Sequence, residues 1–301
     1  MSADVPATGL RGVLVLGDVN LDVLVRPERP IQHGTDVRAT IRQRPGGAGA
    51  NVATTLARSG VTVTLAGCVG AMDASPATDR LRAAGVQLAL RPVSDMATGA
   101  IVAIVGPDGE RSMASDRGAN LALNESDVPE SLIAGHRHLH VSGYALFDAG
   151  TAEAALAAIA RAMAMGRTVS VDPASVAPLR DYGVARFLAD VAGVDLLLPN
   201  SAEASALSGL PDVGQAAASL ALEFPVVAVT CGADGALWAD PSGLLRQPAS
   251  TRDGPVLDTT GAGDAFTAGL LTAWLWGRSP TECLAAGQGA AADVVTRWGA
   301  Q

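Results

Sequence analysis

The amino-acid sequence predicts an α/β protein built on a central, mainly parallel β-sheet, with a small second sheet beside it. Along most of the chain, short apolar runs of strand length alternate with longer segments of helical periodicity, an alternation typical of parallel sheets. Two polar segments, about 20–45 and 97–116, alternate apolar and polar residues instead, which indicates β-ribbons that leave the main sheet. Because no internal repeat or linker divides the 301 residues, we expect one domain over 1–301.

The composition excludes several classes of protein. A chain with 49% hydrophobic residues can bury a large core. Its net charge of −9, with no cluster of basic residues, argues against a nucleic-acid surface. We find no apolar run of membrane-spanning length and no secretion-type leader, and therefore expect a cytoplasmic protein without membrane contacts. The cysteines, Cys68, Cys231 and Cys283, are too far apart for a metal-type or redox motif and are expected to be reduced.

All 21 basic residues are arginine, and the chain contains no lysine. This excludes P-loop nucleotide hydrolases, protein kinases and Schiff-base enzymes, because each needs a lysine at its site. A negatively charged protein that binds phosphate must then use backbone amides, arginine or metal ions. If phosphate is transferred here, Mg²⁺ is implied.

The first predicted strand, Val13–Leu16, ends at polar residues. Asn20 and Asp22 follow it two positions apart, so on an extended chain they point the same way and could hold vicinal hydroxyls. Open α/β sheets bind ligands at the carboxyl ends of their strands. The alternative is an ordinary loop with a capping aspartate.

A glycine-rich segment, Gly46-Gly47-Ala48-Gly49-Ala50-Asn51, precedes a predicted helix over 52–59. The glycines allow a backbone to approach a ligand, and Asn51 can donate a hydrogen bond to it. The spacing does not match a dinucleotide-binding motif. A strand over 61–68, a helix over 77–84 and a hairpin with strands 99–105 and 110–115 follow. Arg117, after the hairpin, could meet an anionic or hydroxyl-rich ligand or could be a solvated surface residue.

In the middle of the chain, His136, His138 and His140 alternate, which on a strand would place them on one face. No carboxylate or cysteine accompanies them, so we favour a half-buried strand start over a metal site. The other elements predicted in this half are helices over 152–165, near 184–192 and over 280–297, and strands over 169–172 and 196–198.

Asn200 and Glu203 follow the last of these strands and allow two interpretations. They fit a capping box, in which the glutamate reaches back to the helix start. They also fit an amide and a carboxylate that hold Mg²⁺ or its waters at the end of a strand. After a further strand over 226–230, Gly232 and Gly235 begin a hairpin and either lie along a nucleotide phosphate chain or only form the turn.

The strongest candidate site is Asp258-Thr-Thr-Gly-Ala-Gly-Asp264, which leads into a predicted apolar helix over 265–276. Gly261 and Gly263 allow close backbone approach, and the free amides of the first helical turn form an anion site. Asp264 lies in that turn, where we expect it to stay ionised near neutral pH and to accept a proton from a hydroxyl. It could instead be only a favourable charge at the helix start.

Taken in order, these motifs resemble the ribokinase-like (PfkB) family of carbohydrate and nucleoside kinases across nearly the whole chain. The stretch from Asp258 to Phe266 resembles the family's C-terminal signature, the glycine-rich segment its N-terminal motif, and Asn200 to Glu203 its metal-associated motif. The resemblance implies a three-layer sandwich with the sheet between helices, and a lid from segments 20–45 and 97–116 that often makes a homodimer. It also implies ATP as phosphate donor, with Mg²⁺ and a monovalent cation such as K⁺.

The resemblance further implies roles for individual residues. Asp264 would be the general base, with an anion hole at Gly261, Ala262 and Gly263. The substrate would be held by Asn20, Asp22, Gly46, Gly47 and Asn51. ATP would lie along Asn200, Thr230, Gly232, Gly235 and Gln288. Magnesium would be bound through Glu203 and, via water, Asn200, and a monovalent cation by Asp258, Thr260, Val294, Arg297 and Gly299.

Two departures from ribokinases argue against ribose as the substrate: Ala48 stands in place of a lysine, and the stretch from Tyr144 to Phe147 lacks an acidic substrate contact. No aromatic residue occurs in 1–143, so the lid cannot stack on a nucleobase. We therefore expect a kinase that phosphorylates a primary hydroxyl of a small sugar. The alternatives are a nucleoside kinase of the adenosine or pseudouridine type and a catalytically silent sensor on the same fold.

Overall fold

Two β-sheets organise the chain in the computed structural model, which describes residues 12–106, 111–250 and 259–296. One sheet has nine strands and the other has four. In chain order the strands are β1 (Val13–Leu16), β2 (Asn20–Pro27), β3 (Ala39–Gly46), β4 (Val63–Gly70), β5 (Gln87–Val93), β6 (Gly99–Val105), β7 (Arg111–Asp116), β8 (His138–Ser142), β9 (Thr168–Asp172), β10 (Leu196–Leu197), β11 (Val226–Thr230), β12 (Ala236–Asp240) and β13 (Gly243–Gln247).

Helices cover both faces of the nine-stranded sheet. In chain order they are α1 (Ala48–Arg58), α2 (Ser75–Ala83), α3 (Glu130–Ala134), α4 (Ala149–Ala164), α5 (Val176–Tyr182), α6 (Val184–Asp190), α7 (Ser201–Ser208), α8 (Val213–Leu220), α9 (Ala262–Leu275) and α10 (Pro280–Val295). Along β1, Val13 and Val15 enter one apolar core with α1, α2, α9 and α10, whereas Leu14 and Leu16 enter the other with α3 to α8. The three-layer sandwich expected from the sequence is therefore confirmed.

The nine strands lie in the order β13-β12-β11-β10-β9-β8-β1-β4-β5. Neighbours from β11 to β5 are parallel, whereas β12 and β13 pair antiparallel. From β1 the chain moves outward to β4 and β5, and it then returns to β8 on the other side of β1. Such a reversal opens a crevice at the carboxyl ends of the strands, where open α/β sheets bind their ligands.

The two predicted ribbons form the second sheet, which we call the lid sheet. Its strand order is β3-β2-β6-β7, with an antiparallel hairpin on each side and a parallel pairing of β2 with β6. The buried side chain of Asn120 ties the bases of the two hairpins together. It accepts a hydrogen bond from the Val19 amide at 3.0 Å, and its own amide group donates at 2.9 to 3.1 Å to the Val19 carbonyl, the Asn20 side chain and the Arg117 carbonyl.

Helix α1 begins at Ala48, although the sequence predicts a start at Val52. Gly47 turns the chain with a φ of 99°. A Cβ atom on Gly49 would lie 2.8 Å from the carbonyl carbon of Gly17, so only glycine permits this close approach. The glycine-rich segment is therefore the first turn of the helix itself, packed against the end of β1.

Five elements lie outside the sequence predictions: β5, α3, α5, α8 and β13. Strand β5 contains Pro92 and forms an edge of the large sheet, where a proline need not cost a ladder hydrogen bond. Helix α5 contains Pro178, and β13 is mostly exposed, so neither shows a clear apolar period. Within the described ranges, no helix is long and apolar enough to span a bilayer.

The alternating histidines belong to the core of the fold. His138 and His140 are buried on β8, where each ring contacts the Ser170 hydroxyl at 2.9 Å. Burial lowers the pKa of His138, and it lowers the pKa of His140 to about 3. No group of three His, Cys, Asp or Glu side chains in the described part of the chain is arranged to hold a metal ion. The predicted strand start is confirmed, but His138 and His140 are fully buried there and not half-buried.

Candidate active site

A pocket of about 560 Å³ opens at the carboxyl ends of the parallel strands, between the large sheet and the lid sheet. It lies at the reversal of strand order next to β1. The predicted site residues that line it are Asn20, Asp22, Gly47, Asn51, Asn200, Glu203, Thr230, Thr260, Gly261, Gly263 and Asp264. The fold thus brings motifs from both ends of the chain into one cavity.

Helix α9 directs its first turn at this pocket. Gly261 precedes the helix with a left-handed backbone, at a φ of 76°, that favours glycine. The Ala262 amide, which the family resemblance places in the anion hole, donates to the Thr259 carbonyl at 3.2 Å. A Cβ atom on Gly263 would meet nothing within 4 Å, and the backbone there faces open space. The amides of Gly263 and Asp264 have no acceptor within the helix, which suits an anionic group such as phosphate.

Asp264 is a half-buried carboxylate in this first turn. Its Oδ2 atom accepts a 2.8 Å hydrogen bond from the side-chain amide of Asn51. Burial raises the pKa of Asp264 to about 7; the Asn51 hydrogen bond opposes the rise, and the charges of Asp172 and Asp22 add to it. The pKa of Asp264 thus lies above the usual carboxyl range, because burial and the neighbouring carboxyls outweigh the helix dipole, which favours the ionised form. A carboxylate with this pKa is well suited to accept a proton from a hydroxyl.

Asp172 ends strand β9, lines the pocket and has no role in the sequence predictions. It accepts hydrogen bonds from the Ala174 amide at 2.8 Å and the Thr267 hydroxyl at 3.4 Å. Ala174 has a φ of 66°, a strained value for a residue other than glycine. Burial raises the pKa of Asp172. The signal that could have identified it is a carboxylate at the carboxyl end of a buried parallel strand.

Glu203 lies in the first turn of α7 and is buried, with 2% of the residue exposed. Its carboxylate accepts hydrogen bonds from the backbone and side-chain amides of Asn200 at 2.9 and 2.6 Å, and Asn200 Oδ1 accepts one from the Glu203 amide at 3.0 Å. The predicted capping box is confirmed. Because each carboxylate oxygen carries a second lone pair, capping leaves Glu203 able to face a cation in the pocket.

Asp172 and Glu203 together form a donor set that fits Mg²⁺. Burial raises the pKa of Glu203, and the Asp172 charge raises it further, so the two carboxyls repel each other when both are ionised. A cation at this point would relieve the repulsion. Mg²⁺ is usually held by one or two carboxylates, with phosphate and water oxygens completing its shell.

Asn20 and Asp22 reach the pocket from β2, as strand alternation predicts. Gly46 pairs with Asn20 on β3, and a Cβ atom on it would overlap the Asp22 carboxylate. Gly46 therefore makes room for Asp22 instead of lining the pocket. Gly47 does line the pocket, and a side chain there would overlap the Asp18 carbonyl.

Arg117 lies at the base of the lid sheet and also lines the pocket. Its guanidinium donates to Asp18 through Nη2 at 2.9 Å and Nε at 3.3 Å, and to Asp148 through Nη1. Only 18% of the side chain is exposed, which excludes a solvated surface arginine. Burial would lower the pKa of Arg117, but the two carboxylates more than offset this and raise it. Burial raises the pKa of Asp18, and the charge and hydrogen bond of Arg117 oppose this rise.

Tyr144 and Phe147 form an aromatic wall of the pocket just after β8. Their rings meet edge to face with centroids 6.1 Å apart, and Phe147 also packs on Tyr182 and Phe187. The lid sheet has no aromatic residue, but the main body supplies aromatic rings to the pocket. The pocket therefore does have a surface on which a ring could stack.

Gly232, Gly235 and Gln288 are not part of the pocket lining in the part of the chain that the structure describes. A Cβ atom on Gly235 would overlap the carbonyl oxygen of Gln247, and Gln288 donates to that same oxygen at 3.0 Å. Gly235 and Gln288 thus position the β12–β13 hairpin beside the pocket.

The other residues assigned to ATP lie at the pocket, whereas those assigned to a monovalent cation do not all do so. Asn200 and Thr230 meet in an isolated parallel β-bridge at the pocket. Of the residues assigned to a monovalent cation, Thr260 lines the pocket and Val294 lies on α10 away from it. Asp258, Arg297 and Gly299 lie outside the described residues.

Comparisons with known proteins agree with this geometry. The chain is 37% identical over 267 residues to an ATP-dependent ribose-1-phosphate kinase of Halopiger xanaduensis, covering 87% of this chain and 84% of that protein. The structure of an adenosine kinase from Sinorhizobium meliloti matches with a TM-score of 0.88 at 27% identity, covering 97% of this chain and 95% of that one. Arabidopsis thaliana ribokinase complexed with ribose and ATP matches with a TM-score of 0.81 at 26% identity, covering 96% and 94%.

The family assignment rests on more than these individual relatives. Residues 10–301 match the family model described as "pfkB family carbohydrate kinase". That span includes both hairpins of the lid sheet and the start of α9. The chain belongs to the PfkB family of carbohydrate kinases.

Proposed function

We propose that this protein is an ATP-dependent kinase that transfers the γ-phosphate of ATP to a primary hydroxyl of a small sugar. The observation that carries the proposal is the position of Asp264, between the first-turn amides of α9 and the side-chain amide of Asn51. Phosphoryl transfer to a hydroxyl needs an acceptor for the hydroxyl proton and an anion site within reach of each other. The start of α9 offers both.

Asp264 would take the proton from the attacking hydroxyl as its oxygen bonds to the γ-phosphorus and ADP leaves. A pKa of about 7 makes the carboxylate basic enough for this step while leaving a large fraction ionised at neutral pH. Asn51, Asn20 and Asp22 would hold the other hydroxyls of the sugar and so orient the reacting one.

The chain's own groups would stabilise the charge of the transferred phosphate without lysine. The amides of Gly263 and Asp264 and the dipole of α9 favour negative charge at this point. Asp172 and Glu203 would hold Mg²⁺, which when bound neutralises charge on the nucleotide phosphates.

We place ATP along Asn200, Thr230, Gly232, Gly235 and Gln288. The Asn200–Thr230 bridge at the pocket and the hairpin beside it support this placement. A monovalent cation such as K⁺ near Thr260 and Val294, with Asp258, Arg297 and Gly299, stays a prediction from the family resemblance.

The side chains around the pocket suit hydroxyl groups, and a sugar is therefore the first candidate substrate. Asn20, Asp22, Ser115 and Asp116 all present hydrogen-bonding groups on the lid side. The names of two relatives, a ribose-1-phosphate kinase and a ribokinase complexed with ribose, support a small sugar. A nucleoside is the second candidate, because Tyr144 and Phe147 offer a stacking surface and one structural relative is an adenosine kinase.

The test measures ADP release with MgATP against sugars, sugar acids and nucleosides side by side. We expect kcat/KM for the best sugar to exceed that for adenosine, cytidine, uridine or pseudouridine by at least about tenfold, which corresponds to one stacking interaction of about 1.4 kcal/mol. A nucleoside that outperforms every sugar would establish the second candidate. Binding without ADP release from any acceptor would indicate a silent sensor.

We further propose a cytoplasmic homodimer formed through the lid sheet. The strand register places Val23, Val25, Ile41 and Val102 on the face opposite Asn20 and Asp22. Ile41 is 61% exposed and Val102 37% exposed, so part of this apolar face is uncovered in one chain. Cys68, Cys231 and Cys283 are all free thiols, which supports a reducing compartment.

A further inference from the structure

Asn120 lies at the base of the lid sheet, and the backbone around it fixes the orientation of its side-chain amide. Its Oδ1 atom accepts a 3.0 Å hydrogen bond from the Val19 N–H, a group that can only donate. Its Nδ2 atom donates at 3.1 Å to the Val19 carbonyl and at 2.9 Å to the Arg117 carbonyl, groups that can only accept. Exchange of the two ends of the amide would place like groups against each other at all three contacts. Asn120 is 3% exposed, so bulk water would not replace the lost hydrogen bonds.

The orientation of Asn120 determines that of Asn20. Nδ2 of Asn120 also donates to the Asn20 side chain at 2.9 Å, and a donor at this position requires Oδ1 of Asn20 to face it. The Nδ2 group of Asn20 then lies on the other side of the amide. It donates no hydrogen bond to another residue in the described part of the chain, and it is not fully buried. Because Asn20 lines the pocket, this group offers the pocket a hydrogen-bond donor.

Gly99 leaves the space that the hydrogen bond between Asn120 and Asn20 needs. It pairs with Asn20 in the parallel register of β2 and β6. A Cβ atom on Gly99 would lie 2.3 Å from Oδ1 of Asn20 and 2.4 Å from Nδ2 of Asn120, closer than atoms without a covalent bond can approach. Any other residue at this position would displace one partner or both. The backbone contacts of Asn120 and the glycine at 99 are thus two independent features that preserve one side-chain contact.

We infer that Asn120 is a positioning residue, which holds Asn20 with its Nδ2 group toward the pocket so that the lid sheet presents a hydrogen-bond donor to the substrate. The inference rests on the proposed function and gives Asn20 and Asp22 different roles. An ionised Asp22 can only accept hydrogen bonds, whereas Asn20 held in this way can only donate them. The substrate atom that faces Asn20 must therefore be an oxygen able to accept a hydrogen bond.

Loss of Asn120 would release the amide of Asn20. Rotation about χ2 of an asparagine is broad and nearly twofold, so an unrestrained Asn20 could turn either its oxygen or its nitrogen to the pocket. A side chain that has to be ordered when the substrate binds weakens binding. We therefore expect Asn120→Ala to lower kcat/KM by at least about tenfold, mostly through a higher KM.

A double-mutant cycle tests whether Asn120 acts through Asn20. Asn20→Ala removes the donor and should also lower kcat/KM by at least about tenfold. In that variant, Asn120→Ala should lower kcat/KM by less than about a further threefold, because the group that it positions is gone. Effects of the two substitutions that multiply would overturn the inference. The phosphate acceptors are D-ribose, D-ribose 1-phosphate and adenosine with MgATP, and the variants are compared on the one with the highest wild-type kcat/KM.

Thr98 provides a matched control, because it also joins the base of the lid sheet to the main body. Its Oγ1 atom accepts a 3.0 Å hydrogen bond from the Gly70 amide and donates one at 2.7 Å to Asp73, and Thr98 is 3% exposed. Thr98→Val and Asn120→Ala both leave buried groups unpaired, so both should lower Tm. Thr98→Val should change kcat/KM by less than about threefold. An equal loss of kcat/KM in the two variants would mean that a loosened lid, and not the orientation of Asn20, causes the effect.

A neutron crystal structure of the wild-type protein tests the orientation of Asn20 without a variant and without turnover, because deuterium atoms distinguish the nitrogen of an amide from its oxygen. We expect two deuterium atoms on the Asn20 atom that faces the pocket, and none on the atom 2.9 Å from Asn120. The reverse assignment would overturn the inference, whatever the activity of the variants. If no acceptor yields ADP, the proposed function fails, but the deuterium positions still decide whether Asn120 orients Asn20.

Discussion

The side-chain amide of Asn51 donates a 2.8 Å hydrogen bond to Oδ2 of Asp264, so a residue of α1 touches the carboxylate at the start of α9. This bond favours the ionised form of Asp264 and opposes the rise in pKa that burial causes. Asn51, which would contact the substrate, therefore also affects the pKa of the proposed base Asp264.

Replacement of Asn51 by alanine should move the acid limb of the pH–rate profile to higher pH. The base works only when deprotonated, so kcat/KM should rise with pH through the pKa of Asp264, which is about 7 in the wild type. Loss of the Asn51 donor removes an interaction that lowers this pKa. Profiles of kcat/KM from pH 5.5 to 9 measure the shift. Asn20→Ala, which removes another pocket amide, is the control and should leave the limb in place.

Asp264→Asn should lower kcat by roughly 10²–10⁴-fold, the usual contribution of a positioned general base. Thermal stability should not fall. The pKa of Asp264 is higher in the folded state than its ordinary value, so the carboxylate costs stability as pH rises through about 7, and a neutral amide removes that cost. Steady-state rates and Tm at pH 8 test both statements. A variant that keeps most of its activity would remove Asp264 from the mechanism, and one that unfolds would make its role structural.

Glu203→Gln should raise the Mg²⁺ concentration needed for half-maximal rate, because an amide cannot balance a hard divalent cation as a carboxylate does. Glutamine can still cap α7, so Tm should change little. Glu282→Gln provides a matched control, since Glu282 completes the exposed capping box of α10. Unchanged Mg²⁺ dependence in Glu203→Gln would mean that capping is the whole role of Glu203.

His140→Asn should reduce the dependence of stability on pH. The folded pKa of His140 is depressed to about 3, so below the unfolded value of about 6.5 only the unfolded state binds this proton, and stability falls as pH falls. From about pH 6.5 down to pH 5, the wild type should lose about 1.4 kcal/mol of unfolding free energy per pH unit relative to the variant. Its unfolding free energy relative to the variant should therefore fall by about 2 kcal/mol between pH 7.5 and pH 5. Urea denaturation measures it.

Charge on the outer face of the lid sheet should break the proposed dimer. Ile41 and Val102 lie on this apolar face, and glutamate at both positions would place two unpaired charges in a buried interface. Light scattering after size-exclusion chromatography should give a dimer mass for the wild type and a monomer mass for the double variant. Leu222→Glu alters an 87% exposed residue after α8 and should stay dimeric. A monomeric wild type would disprove the dimer.

Sequence patterns located the parts of the site whose backbone is unusual. The glycines before Asn51 and Asp264 mark close approaches and a tight turn, and both are visible locally because only glycine tolerates them. Asn20 and Glu203 were located by a second local signal, because each follows the carboxyl end of a predicted apolar strand. Such signals depend only on residues that are close in the sequence, so they can be recognised before the fold is known.

Interactions between distant segments could not be predicted in this way. The pKa of Asp264 depends on Asp172 and Asp22, which come from β9 and β2. Arg117 meets Asp18 and Asp148 only because the fold brings the base of the lid sheet, the end of β1 and the start of α4 together. The sequence shows that these residues are charged. Which of the charges lie in the same pocket depends on the topology of the fold.

The parallel pairing of β2 with β6 has a consequence for the order of folding. The two strands are separated along the chain by β3 of the lid sheet and by α1, β4, α2 and β5 of the main body. Closing so long a segment from the unfolded chain is entropically unfavourable, whereas folding of that body brings the bases of both hairpins to Asn120. We therefore expect the lid sheet to form last and to open first, with amide hydrogens of β2 and β6 exchanging faster than those of β1 and β4. Asn20 and Asp22 are then the last residues of the pocket to be assembled and the first to be lost under partial denaturation.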